Sequence, residues 1–181
     1  VGATENIMMA AACAEGTTTV SNAAREPEID DLALFLNELG YEVEGAGSST
    51  ITIRGGDAAE KNVTHRIIPD RIVAGTLMTA AAITGGELTL TNVNIEHIGS
   101  IAAKLKEAGS VITPGEGTLH ISSPDRPNEI RLTETMPYPG FPTDMQAQLF
   151  ALCTIARGTS IIVENVFENR YRHAAELGRK I

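Results

Sequence analysis

The chain has 181 residues, a formal net charge of −9 and no tryptophan. That balance argues against a nucleic-acid partner, whose backbone calls for clustered lysine and arginine. The longest uncharged run, 72–86, is interrupted by glycines and is too short to span a bilayer, and no charged-then-apolar leader opens the chain, so the expected setting is the cytoplasm.

In chain order, residues 4–14 show a helical pattern with Ile7, Ala10, Ala11 and Ala14 on one side, and Gly16 as a stop. Residues 17–21 are β-branched and predict a strand ending at Asn22. Pro27 and Glu28 open a second helix with the stripe Ile29, Leu32, Leu36 and Leu39, and Gly40 is placed as its C-cap. Two short strands follow, near 42–45 and 50–54. The order then returns. Residues 64–68 predict a strand, 70–83 a helix, 87–91 a strand ending at Asn92, and 95–108 an amphipathic helix stopped by Gly109. A second strand pair is expected near 110–113 and 118–122. A third copy begins near Ile130, with a helix over 143–156, a strand over 160–165 and a helix near 171–177.

These copies can be read letter by letter. A-E-G-T-T-T-V-S-N-A, T-G-G-E-L-T-L-T-N-V and A-R-G-T-S-I-I-V-E-N-V stand at equivalent places, as do F-L-N-E-L-G-Y-E-V, K-L-K-E-A-G-S-V-I and H-A-A-E-L-G-R-K-I. The period is about 70 residues, longer than that of common solenoids. A unit of strand, helix, strand, helix and hairpin predicts an α/β body with its Ala-rich first helices inside, because a helix apolar most of the way round is a buried one. The first copy lacks its leading strand and the third lacks its hairpin, so the chain is expected to be a piece of a longer protein. Cys13 and Cys153 fall in apolar helical runs and are expected as buried free thiols. The histidines 65, 97, 120 and 173 have neither metal-ligand spacing nor an evident paired acid, and are read as structural or surface groups.

The stretch with most chemical content is P-G-F-P-T-D-M-Q-A-Q, residues 139–148. Its prolines stiffen an extended approach, and the helix that follows shows Met145, Leu149, Leu152 and Ala156 on one face. Thr143 and Gln146 have capping-box spacing, which would leave Asp144 in the first turn without a capping duty. Such a carboxylate either complements the helix dipole or serves something outside the helix. Glu168 and Arg170 follow in a later stretch, where a solvated loop is the leading reading over a domain-closure contact.

Five segments, V-G-A-T-E-N-I-M-M-A-A, A-A-R-E-P-E-I-D-D-L, P-D-R-I-V-A-G-T, F-P-T-D-M-Q-A-Q and V-F-E-N-R, together resemble the bacterial UDP-N-acetylglucosamine 1-carboxyvinyltransferases. The resemblance covers nearly the whole chain in the family's order. It implies an inside-out α/β barrel fold in two similar domains, each of three repeats. Residues 1–67 would be the last repeat of the first domain, and 68–181 one complete and one truncated repeat of the second.

It also implies a reaction. The 3-hydroxyl of UDP-N-acetylglucosamine attacks C2 of phosphoenolpyruvate and phosphate leaves, with no metal or other cofactor. Asp144 matches the family's likely general base, Val1, Gly2 and Val166 match main-chain contacts to the nucleotide-sugar, and Asp70 matches a second cleft aspartate. The family's loop cysteine, its phosphoenolpyruvate-binding lysine and its phosphate-binding arginines fall outside the matched region, so neither Cys13 nor Cys153 takes that role and the chain alone is expected to be inactive. Two other readings stand beside this one: a transferase acting on shikimate 3-phosphate, and a non-catalytic module that self-associates through uncovered strand edges.

Overall fold

The computed structural model describes residues 1–57 and 62–179. The chain divides between Ile68 and Pro69 into two compact units, each with its own apolar core.

In the first unit, α1 (Gly2–Ala12) leads to β1 (Gly16–Ser21), α2 (Pro27–Leu39), β2 (Glu42–Glu44) and β3 (Thr50–Gly55). The strands form one antiparallel sheet in the order β1-β3-β2. Ile51 and Ile53 alternate with Thr50, Thr52 and Arg54 along β3, so one face carries the buried isoleucines. They pack with Met8 and Ala12 of α1 and with Ile29, Ala33 and Leu36 of α2. Gly55 lies where a Cβ would run into the carbonyl oxygens of Ala11 and Ala14, so this strand end approaches α1 as closely as only glycine allows.

The second unit repeats the plan: α3 (Arg71–Thr84), β4 (Glu87–Thr91), a 3-10 turn over Ile95–Ile98, α4 (Gly99–Glu107), β5 (Val111–Gly115) and β6 (Thr118–Ser122). Its sheet order, β4-β6-β5, is that of the first unit. The caps repeat too. Gly40 and Gly109 both take positive φ, 104° and 101°. Each is followed by a residue whose N–H reaches back into the helix, Tyr41 to the Leu36 carbonyl and Ser110 to the Leu105 carbonyl. Among the described residues other than glycine, only Asn22 and Asn92 take positive φ, at the same place after β1 and after β4. The third copy diverges: β7 (Leu132–Glu134) pairs in parallel with β8 (Ile161–Val163), and between them a 3-10 turn over Thr143–Met145 leads into α5 (Gln146–Ile155). α6 (Arg172–Gly178) follows.

Several expectations shift. Residues 64–68 form no strand; the segment makes no ladder bonds to a described neighbour, and extension alone is not a strand. The helix expected over 95–108 is broken at Ile98, where the 3-10 turn gives way to α4. α1 buries Thr4, Met8, Ala11 and Ala12, leaving Ile7, Ala10 and Ala14 exposed. In E-N-I-M-M-A-A-A nearly every position is apolar, so periodicity does not choose the face. α1 and α3 are also not buried all round within their units: Ile7, Met9, Val73 and Leu77 are exposed. Cys13, expected inside, is exposed because α1 ends at Ala12 and leaves it at the C-cap. Cys153 is half-buried, and burial pushes its thiol pKa up.

Candidate functional site

α5 is positioned by its own apolar face. Met145, Leu149 and Leu152 are buried, and Met145 rests against Gly75 of α3, where an added Cβ would stand 3.0 Å from the methionine sulfur. That contact fixes the preceding turn, and Asp144 lies on the turn's solvent side with its side chain 56% exposed.

The expected capping box does not form. The turn starts from Pro142, with no side-chain cap. Gln146 points inward and is fully buried, so it cannot reach back. The Thr143 hydroxyl instead donates to Glu164 Oε2 at 2.9 Å and accepts from Arg170 Nη1 at 2.8 Å. Two outward neighbours compete better for that hydroxyl than the backbone N–H groups of its own turn. Asp144 is therefore free of the cap, as expected, but for a different reason.

Arg170 bridges the turn to the loop after β8. Its Nη2 donates to Asp144 Oδ1 at 2.7 Å, and the guanidinium lies 5.1 Å from the centre of the Phe167 ring. Arg170 stays partly solvated, 36% exposed, but its planar fork also sets one prong on Thr143 and the other on Asp144. Asp144, Phe167, Glu168, Asn169 and Arg170 line an open concavity of about 520 Å³. Glu168 is exposed there, and Val166 is exposed on the same loop, with its N–H donating to Glu164 Oε1 at 2.9 Å.

The other sequence-predicted residues stand on other elements. Asp70 caps α3: its Oδ1 accepts from the N–H groups of Ile72 and Val73 at 2.8 and 3.0 Å. Val1 and Gly2 stand at the head of α1 in the first unit; Val1 is exposed, and the space beside Gly2 is open, with no atom within 4 Å of an added Cβ. Among the described residues, no group of three or more His, Cys, Asp or Glu side chains could hold a metal ion, and no helix is long and apolar enough to cross a membrane.

Two features escape a linear reading. His65 does have paired acids: its Nε2 meets Asp31 Oδ1 and its Nδ1 meets Glu38 Oε2, each at 3.0 Å. Hydrogen bonds to Asp31 and then Glu38 raise its pKa above the ordinary 6.5. Asp31 and Glu38 lie seven residues apart, two turns along one face of α2, which is the signal that could have found them. The second is Glu164. Burial pushes its pKa up, but hydrogen bonds from Thr135, the Val166 N–H, Thr143 and the Phe167 N–H outweigh this and hold the carboxyl below its usual range. Those donors are scattered over residues 135–167, so no local spacing announces them.

With this geometry in view, the fold finds its class. The enolpyruvyl transferase NikO from Streptomyces tendae superposes with a TM-score of 0.81 at 27% identity, over 98% of this chain and 42% of that one. The chain is an α/β protein of the enolpyruvyl transferase type. A family model described as EPSP synthase (3-phosphoshikimate 1-carboxyvinyltransferase) matches residues 1–180, and the chain belongs to that family. Similar curated relatives are UDP-N-acetylglucosamine 1-carboxyvinyltransferase 1 of Carboxydothermus hydrogenoformans, 55% identical over 181 residues, and the protein of the same name from Caldanaerobacter subterraneus subsp. tengcongensis, 53% identical over 179. Each match covers 99% of this chain, and the chain spans 42–43% of the length of these relatives.

Proposed function

We propose that this chain is a segment of an enzyme that moves the enolpyruvyl group of phosphoenolpyruvate to the 3-hydroxyl of UDP-N-acetylglucosamine, the first committed step of peptidoglycan synthesis. The observation that carries this reading is an exposed carboxylate, Asp144, held at the head of α5 by a buried methionine and an arginine, in a chain more than half identical to transferases named for that nucleotide-sugar. The first unit is then the closing repeat of one domain, and the residues from Pro69 open the next.

The chemistry assigns Asp144 its part. The sugar oxygen bonds to C2 of phosphoenolpyruvate while C3 gains a proton. The C2–O bond to phosphate then breaks and C3 gives a proton back, leaving an enol ether and free phosphate. Asp144 accepts the hydroxyl proton and aims the oxygen. Arg170 takes only Oδ1, which leaves Oδ2 as the acceptor. A carboxylate beside a permanent cation suits orientation of a hydroxyl more than strong proton abstraction. Val166, whose N–H is held by Glu164, offers its carbonyl to the nucleotide-sugar, and Glu168 lines the mouth beside Arg170. Asp70 keeps to its cap.

The EPSP synthase family, taken as a whole, favours shikimate 3-phosphate as the acceptor, while relatives 53–55% identical favour UDP-N-acetylglucosamine. A phosphate-release assay on the full-length protein carrying this segment separates them. Release from phosphoenolpyruvate with UDP-N-acetylglucosamine and not with shikimate 3-phosphate is expected; the reverse, or no release with either, overturns the proposal. The 181-residue chain alone is expected to stay at background, because the basic groups that would stabilise the departing phosphate are supplied from elsewhere.

A further inference from the structure

Glu164 stands just after β8 and touches three separate pieces of the second unit. Its Oε1 accepts from Thr135 Oγ1 at 2.8 Å, from the Val166 N–H at 2.9 Å and from the Phe167 N–H at 3.1 Å. Its Oε2 accepts from Thr143 Oγ1 at 2.9 Å. One carboxylate therefore joins the end of β7, the turn that bears Asp144 and the loop that bears Arg170.

The consequence lies in a single hydrogen. A threonine hydroxyl has one proton to donate and two lone pairs to accept with. Glu164 is an acceptor only, so the Thr143 proton points at it. Arg170 is a donor only, so it needs a lone pair of the same hydroxyl, and it finds one at 2.8 Å. The carboxylate fixes the polarity of Thr143, and Thr143 then holds Nη1 of the guanidinium whose Nη2 lies on Asp144. The order of the relay is Glu164, Thr143, Arg170, Asp144. Reverse the first link and the hydroxyl proton faces the cation.

We propose that Glu164 is a positioning residue for the transferase reaction: through the Thr143 hydroxyl it seats Arg170 against Asp144 and so sets the orientation of the carboxylate that receives the sugar hydroxyl. The proposal rests on the functional reading given above. It differs from a purely structural role, in which Glu164 would only close the turn at Val166 and Phe167 and would leave Thr143 irrelevant.

Glu164→Gln tests it with little change in shape. The amide oxygen can replace Oε1 for its three donors, but the amide NH2 then confronts Thr143 and displaces the hydroxyl proton. In the full-length enzyme kcat is expected to fall about ten- to a hundredfold, the scale of lost outer contacts and small misplacements at a reacting group, with KM for phosphoenolpyruvate little changed. Thr143→Val is expected to lose as much and Thr143→Ser, which keeps the hydroxyl, to retain activity. The double variant Glu164→Gln with Thr143→Val should be no worse than the poorer single one, because both break the same chain. Losses that multiply, or a Thr143→Val enzyme of normal kcat, overturn the proposal. If Glu164→Gln does not fold, the Thr143 pair of variants decides alone.

A second readout does not depend on turnover. In this chain, the Arg170 side-chain N–H resonances are expected to be dispersed and slow to exchange, and to collapse in Glu164→Gln while the far-UV circular dichroism is kept. Unchanged Arg170 resonances overturn the relay whatever the reaction is. A wild-type enzyme that releases no phosphate, with the collapse observed, faults the functional reading and leaves the relay standing.

Discussion

Two aspartates stand at the heads of equivalent helices, and the structure uses them in opposite ways. Asp70, in P-D-R, begins α3 and turns inward on its own backbone, taking the Ile72 and Val73 N–H groups. Asp144, in P-T-D-M, begins the turn into α5 and makes no cap at all; it faces outward and takes Arg170. The one-residue offset from the proline is the difference. An aspartate directly after proline sits at the N-cap, where its side chain reaches the next orphan N–H groups. One residue later it is already inside the turn, and its side chain points away from them. The comparison teaches that an acid at a helix head is spent on its own backbone or left facing outward according to its exact register.

The largest effect that could break this contrast is at Asp144. In the full-length enzyme Asp144→Asn is expected to lower turnover by about two to four powers of ten, the usual range for general acid–base groups, with the thermal midpoint almost unchanged. Steady-state rates and a melt on the same variant check both halves. Normal turnover with a lowered midpoint would put Asp144 in the same class as Asp70.

Next in size is the support beneath it. Gly75 lies 2.9 Å from Ile101 Cδ1 and 3.0 Å from the Met145 sulfur, measured from an added Cβ. Gly75→Val is expected to lose about 1–3 kcal/mol by overpacking, read by denaturant melts, and to lower turnover as well because Met145 carries the turn with Asp144. A loss of stability without loss of turnover would show that the turn is not held from below.

Smaller again is the cap itself. Asp70→Ala is expected to lose about 1 kcal/mol of stability and Asp70→Ser to recover most of it, with turnover nearly normal in both. A drop in kcat for Asp70→Ser comparable with that of Asp144→Asn would erase the distinction between the two helix heads.

The last test concerns the cations. Arg170 meets one carboxylate, Asp144, whereas His65 stands between two, Asp31 and Glu38. The raised pKa of His65 means that its contribution to stability is complete below 6.5 and fades as pH rises through its folded value. The melting point of the first unit is therefore expected to fall across that alkaline-side window, and His65→Gln to flatten the dependence. A wild-type melting curve with no slope there would show that the two acids do not hold a protonated ring.

Much of this molecule was legible in its letters. The repeated G-strand-N segments returned as β1 and β4 with Asn22 and Asn92 in the same left-handed conformation, and Gly40 and Gly109 returned as matching helix ends. These features are local: a glycine that must take positive φ, a β-branched run and an apolar face are decided by neighbours in sequence. The resemblance carried by F-P-T-D-M-Q-A-Q and V-F-E-N-R pointed to the transferases whose relatives the chain matches. What local pattern could not decide was which partner each polar group would choose. Thr143 had the spacing to cap a helix, yet Glu164 and Arg170 claimed its hydroxyl from 21 and 27 residues away. His65 looked unpaired until the 62–68 segment lay along α2, 27 and 34 residues from its acids. The amino-acid sequence determined the elements and their order because those follow from short-range sterics and burial. The tertiary structure alone decided the relay from Glu164 to Asp144, because a hydrogen bond is won by the better acceptor within reach, and reach is set by the fold.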